Sequence, residues 1–270
     1  MKDIDWNAMS APWLKAEALL ESAHQTVLDG LLHRARLKAG QRVLDIGCGT
    51  GASLLAAAEL VGPEGLVVGV DIAPPLAARA KERVPENVTV LVGDAGTLSH
   101  DRSFDAVISL FGTMFFADTQ SAFTTIRKAI DPGTPFVFSA WAPPPRNPWF
   151  GIPRASVEAQ VGALPRPDPQ APGPFRFANA DATMKEIGSA GWDVEVETES
   201  LVLRTDRNAE SLADMHLVLA EALLLNDHDI SEADRTSIWK NLRDGFGELA
   251  GGDAVEVPAE IHFFTATASN

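Results

Sequence analysis

Tyrosine is absent from this chain of 270 residues, and there is a single cysteine, Cys48. Without tyrosine, no phenol side chain can act as a base or as a stacking partner. A lone cysteine cannot form a disulfide within the chain, which agrees with a reducing compartment. Neither a disulfide-stapled fold nor tyrosine-based catalysis is therefore expected.

Basic residues are also scarce: the chain has 22 Lys and Arg but 37 Asp and Glu, which gives a net charge of -15. This charge repels phosphate backbones and anionic lipid surfaces, so a nucleic-acid partner is not expected. Long apolar runs are missing as well: residues 54–61 form the longest, and Glu59 interrupts it. The first residues have no apolar core of signal-peptide length. We expect a cytoplasmic protein without an integral membrane segment.

From residue 40 onward, short apolar runs alternate with helical stretches, the rhythm of βα units in a parallel sheet. The expected strands are 42–46, 66–71, 88–93, 104–110, 134–141 and 192–200. The expected helices are 51–61, 74–84, 119–130, 180–190, 208–225 and 231–247, after one or two amphipathic helices within 11–37. The sequence therefore predicts an α/β fold.

The length favours one domain with substantial additions over two separate domains. We expect a single domain over 1–270 with five parts. These are an N-terminal helical cap (1–38), a cofactor-binding core (40–141), two lid insertions (142–178 and 205–250) and a last strand (254–268). The prolines of 142–178 are expected to forbid regular ladders and to favour extended loops over the sheet.

The central motif is VLDIGCGTG at residues 43–51, which follows a predicted strand and opens a predicted helix. Gly47, Gly49 and Gly51 let the backbone turn sharply and approach a ligand without a Cβ in the way. The turn predicts a nucleotide or nucleoside site. It remains ambiguous alone, because Gly47, Gly49 and Ala52 also fit the dinucleotide fingerprint.

Three acids at successive strand ends favour a cationic nucleoside over a dinucleotide. Asp45 precedes the first glycine, where a carboxylate would repel a pyrophosphate but attract the ammonium and sulfonium of S-adenosylmethionine. Asp71 ends the next strand, where a carboxylate accepts ribose hydroxyls. Asp94, in GDAGTL at 93–98, could accept from the adenine amine. Each aspartate could instead serve as a helix cap or turn former.

The runs VLDIGCGTG, VGVDI, GDAGTL, FDAVISLFGTMFF and AIDPGTPFVFSAW resemble the class I S-adenosylmethionine-dependent methyltransferases. The resemblance is greatest to the group similar to the ubiquinone and menaquinone biosynthesis C-methyltransferases, and it covers about residues 40–141. The segment WNAMSAPW resembles the group's leading segment, which helps to close over the cofactor. This resemblance implies a Rossmann-like sheet of seven mostly parallel strands with helices on both faces. Its antiparallel last strand would be 254–268.

The resemblance also implies positions for S-adenosylmethionine. Asp45, Gly47 and Gly49 would approach its methionine part, Asp71 and Ile72 its ribose, and Asp94 with Ala95 its adenine. The full set of expected cofactor-binding residues is Trp13, Asp45, Gly47, Cys48, Gly49, Asp71, Ile72, Asp94, Ala95 and Leu110. Cys48 is interpreted as a small packing residue in the turn. Leu110 stands where many members carry an arginine.

Acceptor chemistry is expected at the end of the fourth strand, which in this architecture faces the methyl group. The segment SLFGTMFF contains neither an NPPY or DPPY clamp nor a Pro-Cys nucleophile, which disfavours amide-nitrogen and pyrimidine-carbon methylation. The expected substrate-binding residues are Phe115, Phe116, Trp141, Trp149 and His216. Such rings suit a hydrophobic or cationic acceptor, but they would equally serve to anchor the proline-rich insertion.

The expected reaction is in-line methyl transfer to a small molecule that is hydrophobic, a thiol or an amine. His24, His216 and Asp118 are candidate bases, and no motif singles one out. No metal site is expected, and a homodimer is the default assembly. The alternatives are a nicotinamide-dependent oxidoreductase and a catalytically silent S-adenosylmethionine-binding module. Methylation of a protein or RNA is disfavoured by the acidic charge.

Overall fold

The computed structural model describes residues 5–97, 104–166, 168–225, 228–251 and 254–269. Within these ranges the helices are α1 (Trp6–Ala35), α2 (Ala52–Val61), α3 (Pro74–Arg83), α4 (Thr119–Arg127), α5 (Pro148–Val161), α6 (Ala180–Gly188), α7 (Ala209–Leu223) and α8 (Glu232–Gly247). The strands are β1 (Arg42–Ile46), β2 (Leu66–Asp71), β3 (Val88–Val92), β4 (Ala106–Leu110), β5 (Pro135–Trp141), β6 (Trp192–Thr205), β7 (Ala250–Gly251) and β8 (Ala254–Ala268). None of the described helices is both long and apolar enough to cross a bilayer.

The sheet has the strand order β3-β2-β1-β4-β5-β8-β6, with the two-residue β7 paired to β8. Strands β1 to β5 pair in parallel, and β8 is antiparallel to both β5 and β6. The expected Rossmann-like, mostly parallel sheet and the antiparallel strand at 254–268 are confirmed, and the short β7 makes eight described strands where seven were expected. The order reverses between β1 and β4, so the carboxyl ends of these strands border the crevice where such sheets bind ligands.

Helices cover both faces of the sheet, as two neighbouring residues of β8 show. Phe263 points to α1, where the guanidinium of Arg34 lies 4.2 Å from its ring centroid. Phe264 points to the opposite face and stacks on Phe138 at 4.9 Å. Phe138 in turn lies 5.5 Å from Phe123 of α4. Alternation along one buried strand thus joins two helical layers into one core.

The N-terminal helix is a single element and begins earlier than the 11–37 pattern indicates. It starts at Trp6, and the Asp5 side chain caps it by accepting from the backbone N–H groups of Asn7 and Ala8 at 3.0 and 3.2 Å. Arg36 ends it in a left-handed conformation with φ of 47°. The apolar spacing is regular only beyond Pro12, so the sequence did not mark the first turns.

The expectation of extended loops throughout 142–178 is wrong, because α5 occupies Pro148–Val161. Pro148 takes the first helical position, where its missing N–H costs nothing. Pro153 interrupts the helix interior, but α5 packs on α7 and α8 through Trp149, which contacts the rings of His216 and Phe246. This burial outweighs the lost hydrogen bond. Helices α5, α7 and α8 pack on one another as one layer.

One further boundary differs because of long-range pairing. Strand β6 continues five residues beyond the expected end to Thr205, since its whole length pairs with β8. Ser231 begins α8, as expected, with a capping box in which it exchanges hydrogen bonds with Asp234. The start of α8 was therefore predicted correctly, whereas the length of β6 depended on a partner distant in the chain.

Candidate cofactor and acceptor site

The turn between β1 and α2 has three glycines with positive φ: Gly47 at 69°, Gly49 at 54° and Gly51 at 98°. A Cβ on Gly47 would lie 2.9 Å from the Cα of Gly112, and one on Gly51 would lie 3.3 Å from the Cβ of Ala80. A Cβ on Gly49 would meet nothing within 4 Å. Gly47 and Gly51 are therefore required for packing, whereas Gly49 leaves open space above the turn.

Asp71, at the end of β2, holds this turn in place. Its Oδ2 accepts from the N–H of Gly49 and its Oδ1 from the N–H of Ala73, both at 2.8 Å. Burial raises the pKa of the Asp71 carboxyl, and the two backbone hydrogen bonds oppose that rise. Ile72 follows with 56% of its surface exposed. A carboxylate and an exposed apolar side chain thus stand side by side next to the glycine turn.

Asp45 lies beneath the turn and is completely buried. Its Oδ2 accepts from the Ser53 hydroxyl at 2.5 Å, whereas its Oδ1 has no hydrogen-bond partner among the described residues. Burial raises the pKa of Asp45 to about 7, and the neighbouring charge of Asp71 adds to the rise. An unpartnered buried polar atom of this kind costs about 1–3 kcal/mol, so Asp45 favours a cation or a hydrogen-bond donor nearby.

Asp94 is exposed and acts as a turn former, as its alternative interpretation allowed. Its Oδ1 accepts from the N–H of Gly96 at 2.8 Å, and its carbonyl accepts from the N–H of Thr97 at 3.0 Å. Ala95 beside it is buried. The last residue of the GDAGTL motif lies outside the described residues. The geometry places Asp94 at the carboxyl end of β3, on the same edge of the sheet as Asp45 and Asp71.

The Cys48 side chain packs inward from the turn against β2. Its Sγ lies so close to Gly69 that a Cβ added to Gly69 would be only 2.9 Å away. Burial raises the pKa of the Cys48 thiol above its ordinary value. A protonated, enclosed thiol is a small packing group and not a nucleophile. Leu110, at the other side of the crevice, is half-buried at the end of β4.

A network of charged side chains holds α1 across the glycine turn. The Thr50 hydroxyl donates to Oε1 of Glu21 at 3.0 Å, and Nη1 of Arg83 donates to the Thr50 carbonyl at 2.9 Å. Nη2 of Arg83 also donates to Oε2 of Glu21 at 2.9 Å. Because His24 follows Glu21 by almost one helical turn, this network also fixes the position of His24.

The structure separates the expected aromatic residues into different groups. Trp13 packs on Trp6 at 5.5 Å, and Trp6 packs on Phe115 at 4.8 Å. Phe116 contacts Phe123 of the core at 6.3 Å. These rings fasten the start of α1 and the segment after β4. Asp118, one of the candidate bases, caps α4 by accepting from the N–H of Ser121 at 2.9 Å.

Trp141, Trp149 and His216 meet in what we name the histidine cluster. Its members are His24, Phe111, Trp141, Trp149, His216 and Phe246. Phe111 stacks on Trp141 with centroids 4.6 Å apart and an interplanar angle of 3°. His24 lies 5.2 Å from Phe111 and 5.7 Å from Trp149, and Trp149 also contacts His216 at 4.6 Å. The sequence did not point to Phe111 or Phe246.

Phe111 joins this cluster to the glycine turn. Its φ of 62° is unusual for a bulky residue and stores strain, which is common at functional sites. Its N–H donates to the Ser139 hydroxyl at 3.2 Å. The following Gly112 donates to the Ser109 hydroxyl at 3.2 Å, and that hydroxyl donates to the carbonyl of Ile46 at 2.7 Å. No residue pattern around Leu110 signals this conformation.

Both imidazoles of the cluster are uncharged near neutral pH. Burial lowers the pKa of His24 to about 4 and that of His216 to about 3, where the charge of His24 contributes as well. The Nε2 atoms of both rings are buried and have no hydrogen-bond partner in the part of the chain that the structure describes. Two such nitrogens in one apolar cluster are costly to the fold, which makes the cluster a candidate for binding a ligand.

Comparison with known proteins agrees with this geometry. Residues 43–133 match the family model described as a methyltransferase domain. Aklanonic acid methyltransferase DauC from Streptomyces sp. (strain C5) is 40% identical over 106 residues, which cover 37% of this chain and 48% of that protein. Demethylmenaquinone methyltransferase from Thermus thermophilus is 37% identical over 119 residues, covering 43% and 53%. The matched regions span about half the length of these relatives.

One solved structure shows the same fold over most of the chain. Phosphoethanolamine N-methyltransferase 2 from Haemonchus contortus, in complex with phosphomonomethylethanolamine and S-adenosylhomocysteine, has a TM-score of 0.54 and 20% sequence identity. The match covers 91% of this chain and 53% of that one. Residues 43–133, which match the methyltransferase-domain model, contain the glycine turn and its neighbouring strands, and the strand order is that of the same fold.

Proposed function

We propose that the chain transfers the methyl group of S-adenosylmethionine to a small molecule by in-line displacement. The observation that carries this proposal is the unpartnered, buried Oδ1 of Asp45 beneath an open glycine turn. A cationic ammonium would satisfy that oxygen by Coulomb attraction and hydrogen bonding. A pyrophosphate would be repelled there by Asp45 and Asp71, which argues against a nicotinamide dinucleotide.

The chain's residues fit each part of this cofactor. Gly49 leaves room for the methionine part, and Asp71 retains lone pairs for ribose hydroxyls besides those that accept from the backbone. Ile72, which is largely exposed, offers an apolar surface to the nucleoside, and Asp94 with Ala95 borders the adenine position. Trp13, Gly47, Cys48 and Leu110 complete the proposed surroundings. When bound, the cofactor supplies an activated methyl group on a good leaving group.

With that leaving group present, the protein mainly has to align the acceptor and exclude water. The histidine cluster lies where α1, β4, β5 and the lid helices α5, α7 and α8 meet. We propose that the segments 1–38, 142–178 and 205–250 act as cap and lid of one domain. The relatives named above act on small molecules by their names, and the chain's net charge of -15 argues against nucleic acid. Cytoplasmic location and a homodimer belong to the same proposal.

A calorimetric titration tests the cofactor assignment. S-adenosylhomocysteine should bind with one site per chain, and NAD⁺ should give no heat of binding at the same concentration. The Asp71→Ala variant should weaken binding by about 1–3 kcal/mol through loss of charge-assisted hydrogen bonds. Binding of NAD⁺ without binding of S-adenosylhomocysteine would reverse the assignment in favour of the oxidoreductase.

A labelling experiment tests the acceptor class. The protein is incubated with methyl-labelled S-adenosylmethionine and a cell extract that has been separated into small molecules and macromolecules. Label should enter only the small-molecule fraction. Label in macromolecules alone would overturn the small-molecule proposal, and label in neither fraction, with cofactor bound, would favour the silent module.

A further inference from the structure

We propose that two copies of this chain associate about a two-fold axis, with Arg146 of each copy bound in a groove beside Glu260 of the other. This groove, which we name the acidic groove, has a volume of about 520 Å³, and the side chains that line it include Asp181, Thr198, Glu260 and His262. The inference identifies the surface of the homodimer that belongs to the proposed function, but it does not depend on methyl transfer.

The acidic groove lies on an open part of the sheet. Strand β5 ends at Trp141, so residues 257–260 of β8 pair with β6 alone among the described strands. Pro258 is exposed there, and His262 contacts the ring of Phe264 at 5.9 Å. Alternation along the strand places the groove on the face of Phe264, opposite α1. Another molecule can therefore approach the groove without displacing α1.

Apolar side chains surround the groove and lose little entropy when they are covered. Val202, which pairs with Pro258, is 44% exposed, and Pro143, Pro144 and Pro145 are exposed as well. Proline rings are already restricted in the unbound chain, so their burial costs little conformational entropy. These features suit association with a rigid partner.

The charges of this face identify the partner as a second copy. In the part of the chain that the structure describes, the carboxylates of Asp181 and Glu260 form no ion pair or hydrogen bond. Arg146 is exposed and has no ion pair there either. Free carboxylates favour a cationic group on the partner, and a free arginine favours an acidic one. A surface that carries both complements itself when a two-fold axis repeats it.

Asn147 fixes Arg146 next to the groove. The Asn147 side chain is completely buried, and its Oδ1 accepts from the N–H of Glu260 at 3.0 Å while its Nδ2 donates to the Glu260 carbonyl at 3.3 Å. Arg146 ends the short 3₁₀ turn Pro144–Arg146, and its N–H donates to the carbonyl of Pro143 at 2.9 Å. The backbone positions of both charged residues are therefore set before association, which reduces the entropy cost of the contact.

The net charge of -15 on each copy does not prevent this contact. Surface charges more than about 8 Å apart are largely screened at physiological ionic strength, so the groups that meet at the interface decide its strength. An ion pair between Arg146 and Glu260 of one chain would stay exposed to water and contribute little. Between two copies the surrounding prolines cover the pair, which strengthens its attraction.

Analytical ultracentrifugation of the full chain between about 1 and 100 μM tests this surface. The wild type should sediment as a dimer. Arg146→Glu and Glu260→Arg should each raise the dimer dissociation constant about 100-fold or more, because like charges then meet twice in each dimer. These two substitutions change the net charge in opposite directions, so a general charge effect cannot weaken both dimers.

Lys38→Glu is the matched control, because it changes the net charge by the same amount as Arg146→Glu. Lys38 is exposed and precedes β1, at the amino end of the parallel strands. Its variant should form dimers like the wild type. Circular dichroism and S-adenosylhomocysteine binding should be normal in all three variants, since none of these residues belongs to the proposed cofactor site.

Mixing the two weakened variants separates direct pairing from misfolding. In a mixed dimer the substituted position 146 of one copy meets the substituted position 260 of the other, and an unchanged Arg146 meets an unchanged Glu260. Both contacts then join opposite charges. An equimolar mixture should therefore dimerise with a dissociation constant within about tenfold of the wild-type value. A variant that had lost its fold would not be rescued in this way.

The outcomes distinguish this inference from the proposed function. A wild type that is monomeric at the highest concentration, dimers that persist in both charge variants, or a mixture that stays monomeric would each overturn the proposed surface. Dissociation of Lys38→Glu would do so as well, because net charge would then explain the effect. Absence of S-adenosylhomocysteine binding in a dimeric wild type would instead remove the methyl-transfer function and leave the dimer surface intact.

Discussion

Gly47 and Gly112 bring the turn after β1 into direct backbone contact with the segment after β4. A Cβ on Gly47 would lie 2.9 Å from Gly112 Cα, and a Cβ on Gly112 would lie 3.0 Å from Gly47 Cα and 2.6 Å from the carbonyl oxygen of Ile46. The two segments meet at the point where the strand order reverses. This contact sets the distance between the proposed cofactor crevice and the histidine cluster.

Alanine at Gly47 should mainly impair folding, whereas alanine at Gly49 should mainly impair cofactor binding. Gly47→Ala forces backbone atoms apart, so we expect a loss of about 2–4 kcal/mol in the free energy of unfolding. Gly49→Ala should cost only about 1–2 kcal/mol, from its positive φ, yet should abolish S-adenosylhomocysteine binding because the methyl group enters the open space. Urea unfolding and calorimetry measure the two quantities.

Gly133→Ala is the control for this pair. Gly133 also has a positive φ, 85°, and open space around its Cβ, but it precedes β5 at the opposite edge of the sheet. Gly133→Ala should lose about as much stability as Gly49→Ala but should bind S-adenosylhomocysteine with normal affinity. Wild-type affinity in Gly49→Ala would contradict the assignment of this space to the cofactor.

Asp45 should make the protein less stable as pH rises from about 4 to about 7. Its pKa is raised from 3.8 to about 7 in the fold, so in this window the unfolded chain has lost the proton that the folded chain retains. Stability is therefore full below the unfolded pKa and falls until the pH passes the folded one, by a few kcal/mol in total. Urea unfolding at pH 4 and pH 8 should show Asp45→Asn gaining on the wild type at the higher pH. A constant difference would show that the carboxyl is not perturbed.

Asp71→Asn should loosen the glycine turn. The carboxylate accepts from two backbone N–H groups, those of Gly49 and Ala73, whereas an amide would turn its NH₂ group toward one of these donors. We expect about 1–3 kcal/mol weaker binding of S-adenosylhomocysteine and a smaller loss of stability. Calorimetry and thermal denaturation measure these effects, and Asp118→Asn, at a helix cap remote from the turn, should leave the affinity unchanged.

His216→Phe should stabilise the protein. The substitution removes a buried nitrogen without a partner from contact with Trp149 and Phe246, which should add about 1–2 kcal/mol at pH 7, or roughly 2–8 °C in the thermal midpoint. His228→Phe, at an exposed position, should have little effect. A lower midpoint for His216→Phe at pH 7 would mean that the imidazole stabilises the cluster.

The gain in stability from His216→Phe should increase as the pH falls. The pKa of His216 is lowered from 6.5 to about 3 in the fold. Below pH 6.5 the unfolded chain therefore binds a proton that the folded chain does not bind. The wild type therefore loses stability as the pH falls from about 6.5 toward 3, and the phenylalanine variant lacks this loss. Thermal denaturation at pH 7 and pH 5 provides the comparison.

Much of the cofactor half could be predicted because its signals are local. Glycines in VLDIGCGTG specify a turn by their backbone freedom, and the apolar runs before it and after it specify buried parallel strands. The antiparallel strand at 254–268 followed from the resemblance and is present as β8. The sequence did not predict which of these acids is buried, like Asp45, and which is exposed, like Asp94. Burial depends on the helices that pack over the strand ends.

The structure of the acceptor half could not be predicted from local sequence patterns. The loop prediction for 142–178 failed because α5 owes its existence to Trp149 packing against α7 and α8, and proline preferences do not include that energy. The positive φ of Phe111 is imposed by the hydrogen bonds and stacking around it. His24 was indistinguishable from an ordinary packed histidine until its neighbours were known.

Residue order alone was sufficient for the turn, the strands and the acids at their ends, because backbone freedom and alternating hydrophobicity act over a few neighbouring positions. Only the folded molecule brought together positions 24, 111, 149 and 246, which lie on three helices and on the turn after β4. Their contacts arise from the packing of whole helices against a sheet. The pKa values of His24 and Asp45 then follow from the burial that this packing creates.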